Sequence, residues 1–214
     1  MSIWTNRAPL ALALVAALAS AGCVLPFGGK EAPAMIALAS GGPVIAGPVG
    51  FCIDPTQTQE DGENAFVLLG SCASLSRDAS VARPAARAVL TASVTPAMPG
   101  SVPLAKSFKQ IDSYFRSEAG RAAISRSGDA ETVKVVRTVT SGDLLLIELT
   151  DNAPSGANPV QARSWRGLME IRGRIVSFTV LGLAEEPLNT TTMRMLANDF
   201  AAALRAANGI SPAA

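Results

Sequence analysis

Histidine is absent from all 214 residues, and that one absence removes the commonest general base, the imidazole of a nucleophile triad and the usual zinc ligand. Charge is sparse as well. Eighteen basic side chains stand against seventeen acidic ones, so there is no electrostatic reason to expect a nucleic-acid partner. Aromatics make up 5% of the chain while apolar residues reach 49%, which predicts an aliphatic, alanine-weighted core. No phosphate loop, dinucleotide fingerprint, G-x-S-x-G or S-x-x-K falls in the stretch read below as the folded domain. The many serines therefore have no visible activator. The expectation is no catalytic constellation, no cofactor and no metal.

Cysteine is scarce too: Cys23, Cys52 and Cys72 are the three. Residues 1–9 carry a single basic side chain, Arg7, and LALALVAALASA follows. That apolar run matches a signal-peptide core and is too short for a permanent membrane span. It ends in Leu18-Ala19-Ser20-Ala21-Gly22-Cys23, where small residues lead straight into a cysteine. This segment resembles bacterial lipoprotein signal peptides, whose lipobox places small residues immediately before an invariant cysteine. Ala21-Gly22-Cys23 match that pattern; Ser20 stands where the usual Leu would be. The resemblance implies cleavage before Cys23, lipidation of its thiol and anchoring to a bacterial membrane facing the periplasm. Ala19-Ser20-Ala21 also satisfies an ordinary A-x-A secretory site cutting before Gly22, which would give a secreted periplasmic protein. Both alternatives export the chain. Removing the first 22 residues takes away Arg7 and leaves seventeen charges of each sign.

With Cys23 lipidated, Cys52 and Cys72 form an even pair, suited to an oxidising compartment. They sit in two apolar runs of GFCIDPTQTQEDGENAFVLLGSC, which reads as a stapled hairpin. Closing a loop of that size contributes on the order of 3 kcal/mol.

The remaining chain divides into a Gly/Pro/Ala-rich tether over 23–48, one globular domain over 49–209 and a flexible tail over 210–214. Ile36 to Leu38 and Val44 to Ile45 are the tether segments able to dock or to add an edge strand. Strands are predicted at Val49 to Ile53, at Ala65 to Leu69 buried on both faces, and at Ala88 to Val94. Ser107-Phe108-Lys109-Gln110 reads as a capping box opening a helix whose stripe is Phe108, Ile111, Phe115 and Ala119, ended or kinked by Gly120. A hairpin joins Val133–Val139 to Leu144–Leu149, and a polar loop over 151–159 offers a binding rim. Arg163 to Arg172 alternates, with Trp165, Gly167, Met169 and Ile171 on one face. Arg172-Gly173-Arg174 turns the chain back into Ile175 to Leu181. A terminal helix from about Thr190 to Asn208 carries Met193, Leu196, Phe200, Ala203 and Ala207, with Gly209 just past its end.

This order predicts an α+β sandwich, a mostly antiparallel sheet covered by helices. RGLMEIRGRIVSFTVLGL followed by an amphipathic helix resembles the closing hairpin and helix of the PsbP-like fold family. That likeness implies a fold and no catalytic residues.

Arg163, Arg166, Arg172 and Arg174 crowd the last hairpin and are candidate partner-binding residues for an acidic partner or lipid headgroup. The blander alternative is a solubilised face. Asp54, Glu60, Asp61 and Glu63 cluster without the alternating spacing of a calcium loop and read as solvated charge. The leading functional expectation is a membrane-anchored, non-catalytic accessory or binding lipoprotein of the bacterial envelope, with a possible envelope protein as partner. Its alternatives are a histidine-free hydrolase using carboxylates such as Asp54, Glu63 or Asp151, and a small-ligand carrier with an apolar pocket beneath its helices.

Overall fold

A computed structural model describes residues 32–39, 41–96, 100, 102–154, 156 and 159–211. The expected leader and Cys23 lie outside the described residues, as do residues 212–214 of the expected tail. Strands β1 (Met35–Ala37) and β2 (Val44–Ala46) pair as a small antiparallel ribbon. The main sheet contains β3 (Phe51–Ile53), β4 (Gln59–Asp61), β5 (Asn64–Ser71), β6 (Ala88–Pro96), β7 (Val133–Ser141), β8 (Leu144–Asp151), β9 (Val160–Ile171) and β10 (Arg174–Leu183). Its order is β3-β5-β6-β10-β9-β8-β7, with β4 also on β5, and each pairing is antiparallel. Helices α1 (Cys72–Ser76), α2 (Phe108–Arg116), α3 (Glu118–Ile124) and α4 (Thr190–Ala207) complete an α+β fold.

Alternation along the strands builds two cores. On the first face Leu69, Leu90, Trp165, Met169, Phe178 and Val180 pack against Met193, Phe200 and Leu204 of α4. On the second face Leu145, Ile147, Leu149 and Leu168 pack against Leu104, Phe108 and Ile124 from the α2–α3 side. Both helical layers press on β8, so its LLLIEL run is buried on both faces. The last hairpin closes through Arg172 and Gly173 at φ 51° and 69°, the two positive values of a type I′ turn.

Several sequence expectations shift. Residues 32–48 are part of the fold, because Leu38 and Ile45 are buried in the first core and the Asn208 side chain bonds both the N–H and the carbonyl of Val44. Gly and Pro in this stretch shape turns, and the partner that fixes it is 164 residues away. At the other end, Ile210 packs on the same core. The β5 strand is buried on one face only: Val67 and Leu69 are inside, and Phe66 is 38% exposed.

Ser107 makes no side-chain cap, because a 3-10 turn over Leu104–Ser107 already leads into α2. The cap falls at Ser117, whose hydroxyl accepts from Gly120 N and breaks the helix in two. Ala119 therefore leaves the predicted stripe and is exposed. Gly120 is the residue the corner requires, since a Cβ there would overlap the Tyr114 carbonyl. On α4 the buried side runs Met193, Leu196, Ala197, Phe200, Ala201 and Leu204. Ala203 and Ala207 are half-buried at its margin.

Cys52 and Cys72 are disulfide-bonded. Cys72 opens α1 where a strand end is predicted, so the bond ties β3 to the element following β5. Breaking it by Cys52→Ala with Cys72→Ala lowers stability by about 3 kcal/mol, read as a fall in the denaturation midpoint that reductant reproduces in the parent protein. Gly167 faces Phe178 across β9 and β10, and a Cβ at 167 would overlap the Phe178 ring. Gly167→Ala is expected to cost roughly 1–3 kcal/mol by overpacking, measured by denaturant unfolding.

Candidate functional site

Two carboxylates are buried on β8, one on each face. Glu148 is 1% exposed and Asp151 is 2% exposed, and a buried charge needs partners. On the first face Arg137 and Arg163 each donate to Glu148 at 2.6 Å, and Thr190 Oγ1 donates at the same distance. Thr190 is the first residue of α4 and in turn accepts from Trp165 Nε1. The start of α4 is thereby pinned to the sheet. Arg137 reaches this face because β7 carries a bulge between Val135 and Arg137; without the extra residue, alternation would send it to the other face. Its guanidinium also lies 5.3 Å from the Trp165 ring centroid. Burial alone would raise the Glu148 carboxyl, but the bonds from Thr190, Arg163 and Arg137 outweigh it and hold the group below the usual carboxylate range.

On the second face Asp151 ends β8 and opens the loop expected as a rim. Its Oδ2 accepts from Arg126 N at 2.8 Å and its Oδ1 from Ala153 N at 2.9 Å. The Arg126 guanidinium bonds the carbonyls of Asp151 and Ala153. Burial opposes ionisation of Asp151; these N–H bonds and the Arg126 charge overcome it and hold the carboxyl below its ordinary value.

Arg166 stands on this same face, opposite Ile147 of β8 and Thr179 of β10. Its Nε is buried and has no hydrogen-bond partner. Burial pushes the guanidinium below its ordinary value, and the Asp151 charge acts the other way. An arginine stays cationic under such a shift. The Asp151 carboxylate thus takes its hydrogen bonds from two backbone N–H groups, with the Arg126 guanidinium 3.5 Å away, and acts on Arg166 only as a charge.

The four arginines expected to act together are separated. Arg163 is committed to Glu148 on the first face, and Arg174 reaches Glu63 at 2.6 Å. Arg172 is an exposed turn residue. Strand alternation is the reason, since positions 163 and 166 differ by an odd number and project to opposite faces. The acidic cluster disperses as well: Asp54 caps Thr56, Glu60 accepts from Ala39 N, and Glu63 pairs with Arg174. Among the described residues no three His, Cys, Asp or Glu side chains gather as a metal site. Asp54, Glu63 and Asp151 occupy three separate hydrogen-bond systems.

The space between sheet and α4 is filled by Trp165, Phe178 and Phe200, each 0% exposed. A groove of about 750 Å³ runs along the outer side of α4, between Met195, Ala202 and Ala206 and the segment from Gly47 to Phe51. Among the described residues no helix is long and apolar enough to cross a membrane.

Glu148, Asp151's partner Arg126, and the isolation of Arg166 do not stand out in the sequence reading. The available signal for Glu148 is an acid inside the apolar run LLLIEL. No protein-family model matches the chain, and no curated protein matches its sequence.

Both buried carboxyls lie below their unfolded value of about 4, so the stability they contribute is complete above that value and is lost as pH falls through the folded pKa. Asp151→Asn is expected to destabilise by roughly 3 kcal/mol at neutral pH, leaving Arg126 without its charge partner. Melting temperatures taken from neutral pH down to about 3 should show the variant converging on the parent as the solution acidifies.

Proposed function

We propose that this chain is a lipid-anchored, non-catalytic binding component of a bacterial cell envelope, tethered through Cys23 and presenting its sheet to a partner or ligand. The observation that carries the reading is the cysteine pairing: Cys52 and Cys72 are bonded to each other, which leaves Cys23 as the third thiol, directly after an apolar run and small residues. A disulfide in a small domain fits an oxidising compartment, and the remaining cysteine fits an acyl acceptor.

The folded part begins earlier than composition suggests. Nine residue steps separate Cys23 from Ala32, a span of at most about 30 Å. An anchored domain would therefore work close to its bilayer.

The binding half of the reading draws on the second sheet face. Helices α2 and α3 cover the β7–β9 side, while Thr91, Ser93, Ser177 and Thr179 on β6 and β10 are only half-buried. A strand face of hydroxyls beside an unbonded arginine favours recognition of a polar partner over turnover of a substrate.

Cys23→Ser tests the anchor. In a bacterial host the parent protein should fractionate with membranes and yield an N-terminal peptide carrying a thioether-linked diacylglycerol. The variant should lose both properties while keeping its fold. A parent N-terminus at Gly22 or Cys23 without lipid would replace the anchor with simple secretion.

A further inference from the structure

We propose that Arg166 anchors an oxyanion on the second sheet face, and that the ligand is a carboxylate or phosphate carried on an extended body lying across β10 and β6. The claim deepens the binding half of the reading above and stands apart from the anchor.

The first step is electrostatic. Asp151 is a single carboxylate whose two oxygens each accept from a backbone N–H, of Arg126 and of Ala153. Arg126 then spends one terminal nitrogen on two backbone carbonyls, with its Nε 3.5 Å from Asp151 Oδ2. Arg166 feels Asp151 as a charge, yet its side chain makes no hydrogen bond or ion pair among the described residues. The group of three thus carries one uncompensated positive charge in a partly dry setting, where an added anion is held more strongly than at an open surface.

The second step is the orphaned donor. A buried N–H without an acceptor costs on the order of 1–3 kcal/mol, and Arg166 Nε is the one side-chain polar atom in this condition among the described residues. A planar guanidinium presents Nε and a terminal nitrogen as a fork matched to two oxygens of a carboxylate or phosphate. Nε itself is enclosed, so a ligand reaching it must displace the side chain slightly or bind through the terminal nitrogens and draw the fork outward.

The third step is the ground beside it. In register order the Arg166 row continues through Thr179 and Thr91 to Leu68, and the neighbouring row runs from Ser164 through Leu181 to Val89. Hydroxyl positions lie nearer Arg166 and aliphatic ones farther along both rows, all but Ser164 half-buried. Val89 and Leu183 continue this ground to a hollow of about 510 Å³ that also includes Gly70 and Ser74. An oxyanion with a short apolar tail is accommodated on it.

The test is an NMR titration of the full chain in nonionic detergent at low salt, following the arginine Nε–H signals, with inorganic phosphate in one arm and hexanoate in the other. A saturable shift of the Arg166 signal is expected, with no matching change at Arg172. Hexanoate binding more tightly than phosphate would assign a ligand with an apolar tail; the reverse order would assign a free or polar-bodied oxyanion. Arg166→Met should weaken binding at least about tenfold, while Arg172→Gln should leave it unchanged. Should Arg166→Met fail to fold, the site-resolved shifts of the parent protein decide alone. Absence of saturation at Arg166, or equal drift at Arg166, Arg172 and Arg174, overturns the proposal. Lipid on Cys23 has no bearing on any of these outcomes, so the anchor and the site fail separately.

Discussion

Strand β8 is the element on which the remaining structure depends, because its whole apolar run is shared between both cores. Its six residues from Leu144 to Leu149 are all buried, three toward α4 and three toward α2 and α3. A strand so enclosed must satisfy any charge it carries from within the protein. Glu148 and Asp151 set that requirement, and much of the fold's polar architecture answers it. Arg137 and the bulge that aims it, Arg163, Thr190 at the start of α4, and the turn holding Arg126 all converge on these two carboxylates. Removing a partner from such a system leaves a buried charge, whereas replacing the whole system by apolar residues need not destabilise. The network therefore acts as a specification of register and helix placement more than as a reservoir of stability.

What the sequence makes legible follows from local periodicity. The last hairpin and α4 are readable because alternation, a Gly-containing turn and a 3.6-residue stripe are properties of neighbouring residues. Cys52 with Cys72 is readable from compartment logic and an even count. The ribbon at 35–46 is legible only as two segments, 36–38 and 44–45, able to dock on the domain; that they pair with each other is not, since the Gly and Pro content mimics a tether and the anchor, Asn208, lies near the opposite end of the chain. Ser107 and Ser117 look alike as caps; the 3-10 turn that precedes α2 and the corner that leaves no room for a Cβ at Gly120 decide between them.

The arginines show the same limit at a functional scale. Crowding in sequence suggests a clamp, but a strand separates its neighbours by face, and each guanidinium then meets a different environment. Arg163 becomes a counter-charge to Glu148, Arg174 straps the β4–β5 turn through Glu63, and Arg172 supplies a positive φ. The carboxylates divide likewise, each claimed by its own hydrogen bonds, so proximity along the chain does not predict which groups can act together.

Arg166 is left as the member without a structural employment, and its position argues about why. Its cross-strand neighbours are Ile147 and Thr179, and Leu168, two residues on, belongs to the second core. An apolar side chain at 166 would extend that core and remove a desolvated cation, a change that stability alone favours. The guanidinium is instead held within the field of Asp151 but out of hydrogen-bond reach of it, at the border between the helix-covered and uncovered halves of one face. Internal pairing does not account for that placement, whereas an external oxyanion does, because it supplies the acceptor and the charge that the fold withholds.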